Sequence, residues 1–245
     1  MSRLEHVLSE LQALETATAA PSGTQLQRID PRAKLLVTLL FVAVLSTCPP
    51  RPAVALFALY PIVTALWSGV GIVRTVRRSL AVLPFVAFIG LFNLFQPRGW
   101  VVWTGLLWRG LLSVQALLLL IATTGYRPIC QALRQLGAPS FFVVQLLLIY
   151  RYLRVIVEEA ISMQRARRAR TLSERRSWSL WGTMVGQLLL RTLARAERIH
   201  RAMTARGFRG EASAPHTPLV WHPADSLYII GWSAVFVLIR SGLCV

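Results

Sequence analysis

Lysine is almost missing from this chain. Of 27 basic residues, Lys34 is the only one that is not arginine, and acidic residues number just ten. No GxxxxGK[ST] phosphate loop exists, and the single lysine sits at the entrance of an apolar run, so the chain does not hydrolyse a nucleotide by that route. HExxH and GxSxG are absent, and no carboxylate pair falls within an apolar segment. With no convergent catalytic set, the chain is not read as an enzyme. Cys48, Cys130 and Cys244 are far apart and form no CxxC, which excludes a disulfide framework and a cysteine metal cluster. His6, His200, His216 and His222 are scattered without ligand spacing, so no metal site is expected from this chain alone.

What remains is apolar and basic. Hydrophobic residues make up 55% of 245, mean hydropathy is +0.54 and net charge is +17, a combination that suits a multi-span helical membrane protein. Arginine rather than lysine favours fork-shaped contacts with carboxylates or phosphates. The opening segment, residues 1–21, has no continuous apolar core and is not a secretory signal. Leu4, Leu8, Leu11 and Leu14 share one helical face there, predicting a short amphipathic helix before Pro21-Ser22-Gly23.

Apolar runs then follow at residues 35–48, 53–73, 80–95, 105–124 and 227–239, which predict about five crossings. Pro49-Pro50-Arg51-Pro52 ends the first run. Pro84 and Asn93 lie inside the third, and Gln115 inside the fourth. Residues 74–79 and 96–104 read as loops, the second placing Trp100 and Trp103 at headgroup level. Arg109, near the outer end of the fourth run, is expected to snorkel. Basic loops stay in the cytosol, so the sixteen arginines between Tyr126 and Gly210, against four glutamates, place that segment and the N-terminus inside. The organisation expected is an N-terminal helix and linker (1–34), four crossings (35–124), a cytosolic helical coupling domain (125–212), and a linker with the last crossing (213–245).

Within the basic segment, residues 126–136 read as a short helix closed by Gly137 and Pro139. A long helix runs from an N-cap at Ser140 to about Arg170. Its portion 141–157 is apolar, but Gln145, Arg151 and Arg154 interrupt it, and it is expected along the inner face. A further helix, residues 178–206, puts Leu189, Leu193, Ala196, Ile199 and Met203 on one face and Arg191, Arg195 and Arg198 on another. Gly182 and Gly186 offer a close-approach spacing that chance also produces. Each long helix ends in an Ala-Arg-small tripeptide: Ala169-Arg170-Thr171 and Ala205-Arg206-Gly207. Such an arginine can simply cap its helix end. Gly207 can also stop the helix in the left-handed conformation and leave its arginine projecting, a rigid fork suited to an acidic groove.

These motifs carry a family likeness. Ile29-Asp30-Pro31-Arg32-Ala33-Lys34-Leu35-Leu36, Tyr150-Arg151-Tyr152 before Glu158-Glu159, Ala169-Arg170-Thr171, and Glu197-Arg198 followed by Ala202-Met203 and Ala205-Arg206-Gly207-Phe208 resemble the transmembrane T component of energy-coupling factor (ECF) ABC transporters. The likeness covers about residues 4–240. Phe88 to Asn93, Leu120 to Gly125 and Gln187 to Arg191 are similar to its cobalt/nickel branch, with the vitamin branch as the alternative. The resemblance implies two cytosolic ATPases, which bind ATP and Mg and are held through Ala169, Arg170, Thr171, Ala205, Arg206 and Gly207. It implies a separate substrate-binding membrane subunit, no cofactor in this chain, and a multi-pass protein of the bacterial or archaeal plasma (inner) membrane. Thr171 replaces the commoner glycine. Ala166-Arg167-Arg168, one turn earlier, is a second register, and the spacing from Met163 favours Arg170.

A reading from another class is a membrane-anchored basic protein that binds anionic lipid or nucleic acid. It requires affinity spread over many arginines that collapses with salt. Between Arg165 and Gly210 only Trp178, Trp181 and Phe208 are aromatic, which leaves few stacking partners.

Overall fold

The computed structural model describes residues 29–48, 52–69, 72–91, 99–170, 178–208 and 221–244. The N-terminal amphipathic helix expected at residues 1–21, and Asn93, lie outside them. Every regular element among the described residues is a helix. In chain order these are α1 (Pro31–Thr47), a 3-10 helix (Pro52–Ala58), α2 (Leu59–Ser68), α3 (Ile72–Leu80), α4 (Leu83–Leu91), α5 (Gly99–Thr124), α6 (Tyr126–Gln135), α7 (Ser140–Arg170), α8 (Trp178–Ala205) and α9 (Pro223–Cys244). α5, α7 and α9 are long and apolar enough to cross a membrane. The all-α membrane class is therefore what the fold shows, and the chain divides into two compact units.

The first unit spans residues 17–132 and 217–245. α1 buries Ala33, Val37, Phe41 and Leu45, four residues apart on one ridge, against Phe57, Tyr60, Leu112, Ala116, Tyr228 and Phe236. Aromatic rings dominate this core: Phe41 lies 4.7 Å from Tyr60 and 5.4 Å from Phe236, and Tyr60 meets Trp232 edge-on at 4.8 Å. Each such pair contributes about 0.5–1.5 kcal/mol beyond the area it buries.

Polar groups fix the ends. Asp30 accepts from the Arg32 backbone N–H and caps α1, with Pro31 at the first helical position. Asp225, fully buried, accepts from the His222 N–H at the start of α9 and, at 2.8 Å, from the Asp30 N–H. One carboxylate thus closes a capping box on the last helix and ties it to the first. At the other end of α1, Arg109 donates to the Cys48 carbonyl and Arg240 to the Thr47 hydroxyl. Arg109 does not simply snorkel: it serves carbonyls that the α1 terminus leaves unpaired.

Two expected runs are broken more finely than their composition suggested, and two expected loops are helical. Residues 53–73 do not form one crossing. They divide into the 3-10 turn and α2, which stops at Gly69 with φ 62°, a conformation glycine adopts without steric cost. Residues 74–79 are not a loop but most of α3. The third run begins afresh at α4 because Pro84 has no N–H to continue from α3, and the Val82 carbonyl starts the new helix instead. Trp100 and Trp103 lie in α5 rather than in a loop, stacked at 5.2 Å, and the Trp103 indole donates to the Ala87 carbonyl.

The second unit spans residues 1–16 and 133–216. Gly137, at φ 96°, ends α6 with the Ala138 N–H bonded to the Leu133 carbonyl, as anticipated from its sequence. The Pro139 carbonyl, not Ser140, caps α7, since it accepts the first helical bonds from Phe142 and Val143. α7 is helical through Arg170, the last residue described before 178. The stretch expected along the inner face, 141–157, belongs to a helix that passes the same length and hydropathy test as α5 and α9.

Candidate functional site

α7 and α8 carry the two tripeptides, and side chains from each helix hold the other. Glu159 of α7 accepts from Arg191 at 2.6 Å through one carboxylate oxygen and from Arg195 at 3.4 Å through the other. Two turns further along α7, Arg167 lies 5.8 Å over the Trp181 ring and donates to the Met184 sulfur at 3.4 Å. Later residues of α7 therefore meet earlier residues of α8, so the helices pass each other in opposite senses. Charge-assisted bonds and a cation–π contact are stronger than neutral surface contacts, and together they define where the helices touch.

This contact selects the packed face of α8. Met184, Leu188, Thr192, Arg195, Ile199 and Met203 are half-buried. The face predicted from Leu189, Leu193, Ala196, Ile199 and Met203 is only partly right: Leu189 and Leu193 are 58% and 53% exposed, alongside Val185 at 62% and Leu190 at 69%. Arg195 is on the packed side instead of the solvent side. Two apolar stripes at helical spacing compete in this sequence, and the arginines answering Glu159 decide which one packs. Nothing among the described residues lies within 4 Å of a side chain built at Gly182 or Gly186, so no described helix approaches them closely.

At the end of α8 the backbone forms a Schellman closure. The Phe208 N–H bonds to the Met203 carbonyl, the Gly207 N–H bonds to the Thr204 carbonyl, and Gly207 is at φ 83°. This leaves Arg206 at the C-cap, exposed, between exposed Ala205 and Gly207. At the end of α7, Ala169 and Arg170 are exposed in the last turn, and Thr171 lies outside the described residues. Among the described residues, neither the Arg170 nor the Arg206 guanidinium forms an ion pair or bonds to the carbonyls of its own helix end. Of the two registers, Arg167 is engaged on Trp181 and Met184, whereas Arg170 is exposed, with no ion pair among the described residues.

The sequence reading missed Glu159 as the junction. Its signal was present, because Glu158-Glu159 is the lone acidic pair in a segment of sixteen arginines. Gln115 is half-buried in α5, with no hydrogen bond among the described residues. Among the described residues no three of His, Cys, Asp and Glu gather in a way that could hold a metal ion.

Comparison with known proteins agrees with this layout. The family model described as CbiQ, cobalt transport protein, matches residues 22–217. A cobalt transport protein CbiQ of Rhodobacter capsulatus is 29% identical over 81% of this chain and 84% of its own length. Transmembrane proteins of energy-coupling factor transporters, named EcfT, match from Heliobacterium modesticaldum, 26% identical over 89% of this chain and 93% of theirs, and from Thermosediminibacter oceani, 25% identical over 78% and 82%. A family match that spans most of the chain, on a helical membrane fold ending its two long crossed helices in open arginines, places this protein in the CbiQ family, as a transmembrane T component of energy-coupling factor transporters.

Proposed function

We propose that this chain couples ATP hydrolysis in two cytosolic ATPases to a separate substrate-binding membrane subunit, in an importer for cobalt or nickel. The observation that carries the reading is the pair of open guanidiniums, Arg170 and Arg206, each at the end of a long helix and each without an ion-pair partner among the described residues. A guanidinium on a stiff helix end reaches a carboxylate in bidentate geometry, and helix movement is transmitted through it without slack. Each ATPase takes one of the tripeptides, Ala169-Arg170-Thr171 or Ala205-Arg206-Gly207, while ATP and Mg remain in the ATPases. The excess of arginine in residues 126–210 puts this segment and the N-terminus on the cytosolic side of the plasma membrane. A metal rather than a vitamin is supported by the word cobalt in the family description and in the name of the Rhodobacter relative.

The test is ATP-driven accumulation of labelled cobalt or nickel in vesicles that contain the whole complex. Arg170→Ala and Arg206→Ala are each expected to lower uptake by tenfold or more, since truncating one partner of a buried interfacial charge pair costs about 2–5 kcal/mol. Full uptake in the double variant contradicts the reading. Uptake of a vitamin but of neither metal moves it to the vitamin branch.

A further inference from the structure

The ion bridge between α7 and α8 lies at matching distances from the two arginines. Glu159 precedes Arg170 by eleven residues, and Arg195, which it binds, precedes Arg206 by eleven. At 1.5 Å per residue each arm beyond the bridge is about 16 Å long. Because the helices pass in opposite senses, the arms extend to opposite sides of the bridge, and the arginine tips lie on the order of 30 Å apart.

Along α7, Glu159 is followed by the contact of the Arg167 side chain with Trp181 and Met184, which lies on the Arg170 arm. On the Arg206 arm, Glu197 pairs with Arg201, both within α8 and highly exposed. At the Glu159 bridge a single carboxylate holds two guanidiniums. Loss of that carboxylate leaves Arg191 and Arg195 facing each other one turn apart, where like charges repel.

We infer that Glu159 is a positioning residue: with Arg191 and Arg195 it forms the pivot that sets the spacing of the Arg170 and Arg206 tips. This rests on the coupling reading above, since the spacing matters only if both tips engage partners. Glu159 itself touches neither partner. Its carboxylate fixes the register and crossing of the two helices, so that displacement of one tip appears at the other.

The experiment uses the full complex, with the native cysteines replaced by alanine and spin labels placed at Ala166→Cys and Ala202→Cys, both exposed positions. In the parent, the distance distribution between the labels is narrow. In Glu159→Ala and Glu159→Gln it is expected to be at least twice as broad, and uptake is expected to fall about tenfold, as for the loss of a charged hydrogen bond. The ATPases still co-purify and their basal hydrolysis is unchanged. Reversing all three charges, Glu159→Arg with Arg191→Glu and Arg195→Glu, is expected to restore both width and uptake. A parental distribution in Glu159→Ala overturns the inference. So does release of the ATPases by that variant, or charge reversal that restores neither readout. If Arg170→Ala and Arg206→Ala keep full uptake, the coupling reading fails. If they abolish uptake while Glu159→Ala changes nothing, only the pivot fails.

Discussion

At the residue scale, identical side chains have different fates according to their neighbours. Arg167 and Arg170 are three positions apart, yet one lies on an indole and the other is open at a helix end. Asp225 shows the same dependence. The sequence marks it only as a charge beside an apolar run, whereas in the fold it is buried and pairs two backbone donors, from His222 and Asp30. Asp225→Ala strands both donors and is expected to lower stability by about 2–4 kcal/mol, with Asn retaining part of it. Thermal unfolding in detergent measures this, and an unchanged midpoint contradicts the assignment. The arginine tripeptides and the glycine stop at Gly207 were legible beforehand because they depend on local backbone preference. The tie of Asp225 to Asp30 and the partners of Glu159 were not, because each joins residues more than thirty positions apart.

At the element scale, helix existence was legible and helix interruption was not. Ends that rest on local chemistry agree with the sequence: Gly137 after α6 and Gly207 after α8. The interruptions arise where one residue overrides a uniformly apolar composition, as Gly69 does after α2 and Pro84 does before α4. The faces of α8 were ambiguous for a related reason: its leucines fill two stripes, and only the charged contact with α7 chooses between them. Close approach is similarly invisible in composition. A side chain at Gly90 would lie 2.6 Å from Trp103 Cδ1, so Gly90→Ala must push the indole off the Ala87 carbonyl it donates to. A loss of about 1–3 kcal/mol is expected for this variant. Tryptophan fluorescence during unfolding measures it, and parental stability contradicts the packing described. Gly182→Ala, with open space around it, serves as the control.

At the scale of the whole molecule, the division of labour follows from composition. Residues 17–132 and 217–245 form an aromatic-filled helical unit pinned at both ends of α1 by Asp225 and by Arg109 and Arg240. The other unit concentrates the arginines and ends its two long helices in open guanidiniums. The membrane class was legible from hydropathy because lipid leaves helices as the solution for such apolar runs. The central claim is that each arginine tip holds one ATPase. Native mass spectrometry of the purified complex tests it most directly, by counting ATPase subunits per copy of this chain. The account predicts two for the parent, one for either Arg170→Ala or Arg206→Ala, and none for the double variant; two ATPases retained on the double variant would contradict it.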